Sequence, residues 1–421
     1  MSTTLFRNGR IYTPVDGGSP VSGSRQDDLA HYGEGALLVV DGMIERIGSE
    51  EEVVAGLAVE IVENGYDCGG RCLIPGFVDP HTHNCFAVLR EEEFELRIAG
   101  TDYLEILRRG GGILSSVKAV AQADVELLGA NTLRQIGRAL EFGTTTMEIK
   151  SGYGLDTENE LKMLEAIDAA SRRTPVDIVA TFMGAHAIPP AYRERADEFI
   201  DLVIEEMLPA VHRQGIAGQC DIFCEEGVFS IAQGRRLLEA ARKMGMRVKL
   251  HADEVHDLGG AGLAAEIGAV SADHLLAASK SNMEAMAAAG VVATLLPATA
   301  YSLRKPYADA RTMIGKGLPV ALATDCNPGS SYTESMPFVI GLAVLNMEMS
   351  PAEALAAATL NSAYAIGMAE KTGSLDIGKQ ADFLLLDGRT PAILAYHAGV
   401  SPVAEVYKQG RRVFPEVSAG K

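Results

Sequence analysis

From about Arg71 to Ala369 the chain alternates short apolar runs rich in Val, Ile, Thr and Phe with longer amphipathic stretches, and this alternation constrains its fold more than any other feature. Repeated strand-then-helix units need crossover connections, so their strands run parallel. The expected strands are Cys72 to Val78, Thr144 to Ile149, Asp177 to Met183, Gln219 to Cys224, Arg247 to His251, Ser271 to His274, Val291 to Leu295 and Val320 to Thr324. Such a set predicts an α/β fold of the closed (β/α)8, TIM-like kind. Between the strands, Thr157 is expected to cap a helix over Glu158 to Arg172 with Glu160 completing a capping box, and Ser350-Pro-Ala-Glu353 repeats that logic.

The two ends read differently. Residues 1–65 and 372–413 hold short alternating segments such as Ala36-Leu-Leu-Val-Val40 and Ala381-Asp-Phe-Leu-Leu-Leu386, broken by Gly and Asp, which are hairpin signals. The shared character predicts one smaller β-sandwich domain built from both termini, residues 1–68 with 372–421, around a barrel of residues 69–371.

Composition narrows the function classes. A chain of 421 residues with 47% hydrophobic content can bury a large core. No apolar run approaches the roughly 18 residues of a membrane span. The start Met1-Ser-Thr-Thr-Leu-Phe-Arg has no apolar stretch of the secretory kind, so the expectation is a cytoplasmic protein. A formal net charge of −19 argues against a nucleic-acid surface, which needs clustered Lys and Arg. It leaves room for a small anionic substrate held by an arginine in a shielded cleft. Six scattered cysteines show no disulfide-scaffold spacing, and Cys220 with Cys224 lacks a second pair for a zinc finger. A homodimer is the default for an enzyme of this size.

The chemistry lies where strands end. His81 and His83, in Leu73-Ile-Pro-Gly-Phe-Val-Asp-Pro-His-Thr-His83, are i and i+2 along an extended segment and face one side. His186, His251, His274 and Asp325 follow other apolar strands, so five of nine histidines fall at the address where barrels of this kind gather their active sites. Three histidines and a carboxylate form a mixed N/O set suited to Zn²⁺ or Fe²⁺ with an open position for water. A cation there lowers the pKa of bound water to near 7 and so supplies hydroxide. Glu254, three residues beyond His251, is placed to take or give a proton.

Together, Pro-Gly-Phe-Val-Asp-Pro-His-Thr-His, the strand-end histidine, His-x-x-Glu and Thr-Asp resemble the amidohydrolase superfamily over nearly the whole chain. Bridging carboxylated lysines occur in two-metal members, and Lys150 is the residue to consider; the spacing of His251 and Glu254 resembles the one-metal branch instead. The segments Glu148-Ile-Lys-Ser-Gly-Tyr-Gly-Leu155, Phe182-Met-Gly-Ala-His186, His251-Ala-Asp-Glu254 and Thr324-Asp-Cys-Asn-Pro-Gly-Ser330 resemble the members that open a cyclic amide. That resemblance implies hydrolysis of an anionic imidazolone, 4-imidazolone-5-propanoate, to N-formimidoyl-L-glutamate. It implies one divalent or trivalent metal ion per subunit, zinc or iron, on His81, His83, His251 and Asp325. It implies catalytic roles for Glu254, His274, Asp325 and His186, and substrate binding by Arg90, Tyr153, His186, Glu254, Asn327, Gly329 and Ser330. Arg90 suits a bidentate carboxylate pair, although among Glu91, Glu92 and Glu93 it also suits a surface ion pair. The same ligands would serve a deaminase of an aromatic base, and a barrel without metal would be a non-catalytic scaffold.

Overall fold

Gly76 divides the first apolar run. A Cβ at this position would lie 2.2 Å from Thr145 Oγ1, so only glycine lets the chain pass here, and it turns from one sheet into another. The computed structural model describes residues 2–101, 105 and 111–415; residues 1 and 416–421, at the outer ends of the expected terminal domain, lie outside the described residues.

On the N-terminal side of Gly76 are β1 (Thr3–Pro14), β2 (Leu29–Val40), β3 (Met43–Ser49), β4 (Tyr66–Asp67) and β5 (Cys72–Pro75). Beyond it come β6 (Phe77–Asp79), β7 (Thr144–Lys150), β8 (Asp177–Ala185), β9 (Gln219–Cys224), β10 (Arg247–Ala252), β11 (Ser271–His274), β12 (Val292–Leu295) and β13 (Val320–Leu322). The chain finishes with β14 (Phe383–Leu386), β15 (Val403–Lys408) and β16 (Arg411–Phe414). The expected strand Cys72 to Val78 is therefore two strands in two sheets, a correction that periodicity alone had no means to supply.

Strands β6 to β13 form a parallel sheet in sequential order. It closes just past its outer strands, where Thr82 bridges Cys326, Asp325 N donates to His81 O at 3.0 Å and His83 N donates to Cys326 O at 2.9 Å. The fold is a (β/α)8 barrel. Strands from both termini build the second sheet, in the order β16-β15-β14-β5-β1-β2-β3 with β4 beside β1. Its core contains Phe6, Leu37, Leu73, Phe383 and Tyr407, drawn from both ends of the chain.

The capping box at Ser350 and Glu353 forms as expected. The one at Thr157 does not. Asp156 caps the helix Thr157–Ser171 by accepting from Asn159 N, and Glu160 turns inward to accept from Gly152, Gly154 and Leu155 backbone N–H groups at 3.1, 2.8 and 2.9 Å. Asp156 wins because its carboxylate reaches the third helical N–H as readily as a hydroxyl does. No helix among the described residues is long and apolar enough to cross a membrane.

Candidate active site

The C-terminal ends of the barrel strands bring the histidines together. His81 and His83 follow β6, His186 follows β8, His251 lies within β10, His274 ends β11 and Asp325 follows β13. His81 Nε2 and His83 Nε2 lie 3.5 and 3.7 Å from Asp325 Oδ1. His83 Nε2 and His251 Nε2 are 3.3 Å apart. His81, His83 and Asp325 form one set of converging donor atoms, and His81, His251 and His274 form another, each set lying within 4.8 Å. His274 and Asp325 hold φ values of 78° and 51°, a left-handed backbone that costs free energy in non-glycine residues and is typical of functional sites.

These residues fit a metal ion. His81 Nε2 is buried without a hydrogen-bond partner, an arrangement that costs free energy unless something accepts its lone pair. Its other nitrogen is fixed, since His81 Nδ1 lies 2.6 Å from Asp273 Oδ2. His251 Nδ1 is likewise 3.2 Å from Asp221 Oδ1. Burial, reinforced by neighbouring cationic groups, pushes the His81 and His83 values well below the usual histidine range, so both rings are neutral, as metal ligands must be. Burial raises the Asp325 carboxyl, and its Oδ2 accepts from Thr299 Oγ1 at 2.5 Å.

Lys150 sits beneath this cluster. Its Nζ is 2.7 Å from both Glu148 carboxylate oxygens and 3.0 Å from Asp221 Oδ2. Burial acts to lower its value, yet the surrounding carboxylates hold it above the ordinary lysine range. An ammonium locked between carboxylates is in no position to carry a bridging carbamate.

Around the cluster, His186 stacks on His83 with centroids 4.7 Å apart, and Tyr153 lies 6.0 Å from His83 and 5.3 Å from His186. The loop carrying Tyr153 is pinned by the Glu160 carboxylate. Arg90 donates from Nε and Nη2 to Glu93 Oε2 at 3.0 and 2.6 Å. Its Nη1 passes so close to Gly329 that a Cβ there would lie 2.6 Å away. Asn327 organises its own turn: its Oδ1 accepts from Gly329 N and Ser330 N at 2.8 and 2.7 Å, and its Nδ2 donates to Asp325 O at 2.6 Å. Glu254 Oε1 lies 3.7 Å from His274 Nδ1, and both line a cavity of about 270 Å³ with Thr299, Leu276, Leu303 and Lys305.

Sequence reasoning missed Asp221, Asp273, Glu160 and Thr299. The first two carried a readable signal, polar side chains at alternate positions of a short strand, in Gln219-Cys-Asp221 and Ser271-Ala-Asp273.

A (β/α)8 barrel with a histidine and carboxylate cluster at its C-terminal mouth defines a class of hydrolases, and a protein-family model described as the amidohydrolase family matches residues 72–413. The chain belongs to that family, and its branch is that of the imidazolonepropionases, as three curated relatives show. It is 66% identical to the imidazolonepropionase of Desulfotalea psychrophila over 98% of this chain and 100% of that one. It is 63% identical to that of Syntrophobacter fumaroxidans over 97% and 96%, and 50% identical to that of Symbiobacterium thermophilum over 95% and 94%. Among solved structures, 5-methylcytosine deaminase from Klebsiella pneumoniae superposes with a TM-score of 0.73 at 17% identity, covering 99% of this chain and 100% of that one. A zinc-bound adenosine deaminase from Xanthomonas campestris gives 0.69 at 18%, covering 97% and 92%. These two likenesses establish the fold.

Proposed function

We propose that the chain hydrolyses the ring amide of 4-imidazolone-5-propanoate to N-formimidoyl-L-glutamate in histidine degradation, as a cytoplasmic homodimer with one zinc or iron ion per subunit. The observation that carries this reading is the convergence of His81, His83, His251, His274 and Asp325 within a few ångströms at the barrel mouth, with Arg90, Tyr153 and Glu254 around it.

His81, His83, His251 and Asp325 would hold the ion, leaving His274 beside the open face of the cluster. When bound, such an ion lowers the pKa of a ligated water to near 7 and polarises a carbonyl oxygen. The protein's own groups do the rest. Glu254 and Asp325 orient the attacking water and accept its proton as oxygen bonds to the ring carbonyl carbon. His274 meets the negative charge that develops on the carbonyl oxygen. The C–N bond then breaks, and the proton held on the carboxylate passes to the departing ring nitrogen.

His186 has a defined polarity. Gly152 O can only accept, so His186 Nδ1, 3.0 Å away, carries the proton, and a neutral ring presents Nε2 as an acceptor for a substrate N–H. Arg90, oriented by Glu93, offers Nη1 to the propionate beside Gly329, and the Asn327 and Ser330 turn closes that end. Tyr153, whose phenol burial pushes up, remains a donor.

The test is a coupled assay in which urocanate hydratase supplies the unstable imidazolone and formimidoyl-glutamate is measured. Turnover by metal-loaded protein supports the proposal. Ammonia release from aromatic bases, without turnover of the imidazolone, would replace it with a deaminase.

A further inference from the structure

Beneath the ligand imidazoles the lumen carries charge where barrels of this kind ordinarily carry branched apolar side chains. Glu148, Lys150, Asp221, Lys249 and Asp273 are all fully buried. Glu148 and Lys150 are i and i+2 on β7, and Lys249 and His251 are i and i+2 on β10, so each pair shares a face of its strand.

Their contacts run unbroken from one imidazole to another. His81 Nδ1 meets Asp273 Oδ2 at 2.6 Å, and that oxygen meets Lys249 Nζ at 3.0 Å. Lys249 Nζ lies 3.5 Å from Glu148 Oε1, and Glu148 Oε2 lies 2.7 Å from Lys150 Nζ. Lys150 Nζ lies 3.0 Å from Asp221 Oδ2, and Asp221 Oδ1 lies 3.2 Å from His251 Nδ1. Lys249 also donates to Pro80 O at 2.7 Å, fixing the backbone next to His81.

Isolated charges in such a place would be prohibitive, and alternation of sign is what makes them tolerable. Three carboxylates against two ammoniums leave an excess negative charge below the imidazoles, which favours a cation above them. An ionised carboxylate only accepts, so Asp273 and Asp221 place the ring proton on Nδ1 and leave the Nε2 lone pair to face the cluster.

We propose that Glu148, which touches neither imidazole, is a positioning residue of the metal centre: it joins the Lys249–Asp273 and Lys150–Asp221 arms and through them holds His81 and His251 as Nδ1–H tautomers. The inference rests on His81 and His251 being ligands.

The experiment uses the full-length chain stripped of metal and titrated with Zn²⁺ against a competing chelator, with ¹⁵N-labelled histidine rings observed by NMR. In the wild type both rings carry hydrogen on Nδ1; an Nε2–H tautomer at either ring overturns the proposal. Glu148→Gln keeps the shape and removes the charge, and is expected to lower zinc affinity on the order of tenfold while moving the signals of both rings. Lys249→Met moves chiefly the His81 ring and Lys150→Met chiefly the His251 ring, a pattern that decides the matter even if Glu148→Gln does not fold. An equal response of both rings to each lysine variant, or none, overturns the two-arm arrangement. If the wild type takes up no zinc, the ligand assignment itself has failed; if it does and Glu148→Gln matches it within twofold, the role of Glu148 alone has failed.

Discussion

In the terminal sheet, Phe6 meets Phe383 and Tyr407 edge-on with centroids 4.8 and 5.0 Å apart, and Phe383 stacks on Tyr407 at 4.5 Å. The barrel lumen under the histidines is filled instead by Glu148, Lys150, Asp221, Lys249 and Asp273, all without solvent exposure. An aromatic core adds its contributions nearly residue by residue, through area removed from water. A buried set of charges is tolerated only when complete, because taking away one member strands its neighbour without a partner. The first arrangement holds the chain together; the second holds a few atoms in place.

That contrast is open to experiment. The largest effect is expected from His251→Ala, which should abolish stoichiometric metal and lower kcat/KM by about 10⁴-fold, some 5 kcal/mol of transition-state stabilisation. Phe383→Ala should act on stability instead. It should cost about 3–5 kcal/mol of stability in urea titrations, with the kcat of the folded fraction unchanged, and a fall in its kcat at 25 °C would break the separation between the two regions. Arg90→Met should raise KM on the order of 30-fold, about 2 kcal/mol, and leave zinc content alone, sharpening the line between holding the ion and holding the substrate.

The smallest effect concerns pH. Burial acts to raise the Glu405 carboxyl, but bonds from Tyr407, Tyr66 and Arg71 outweigh it and hold the value below the ordinary 4.5. A lowered folded-state value means that its stabilisation is complete above the unfolded value and is lost as pH falls through the folded one. The urea midpoint should therefore decline as pH drops below about 4.5, and Glu405→Gln should flatten that part of the profile. An unchanged slope in the variant would remove Glu405 from the account.

The barrel was legible because its strands are largely apolar and short, and because His81, His83, His251 and Asp325 each stand at or just past the end of one. Strand-end position needs only local periodicity. The split at Gly76 was not legible, since a continuous apolar run carries no mark of which sheet each half will join; that depends on Thr145 and β14, far away in sequence. Glu160 was misread for a related reason: its spacing from Thr157 suits a cap, but the loop carrying Tyr153 offers three unpaired N–H groups that only the folded chain brings near. Asp221 and Asp273 each stand two residues from another polar residue of their strand, but what they meet across the lumen is set by barrel closure. Local signals thus disclose which residues sit at the mouth, and the packing of distant strands decides what holds them there.

The strand Cys72–Pro75 lies between β1 and β14 in the terminal sheet, which has a consequence for how the protein is made. Roughly 300 residues separate Pro75 from Phe383, so at ordinary ribosomal speeds of about 5–20 residues per second an edge of β5 waits about 15–60 s for its neighbour. During that interval the nascent chain presents a strand with one unpaired edge directly before the residues that carry His81 and His83. Completion of the sheet by strands made so much later is therefore also the moment at which synthesis can seal the segment leading into the active site.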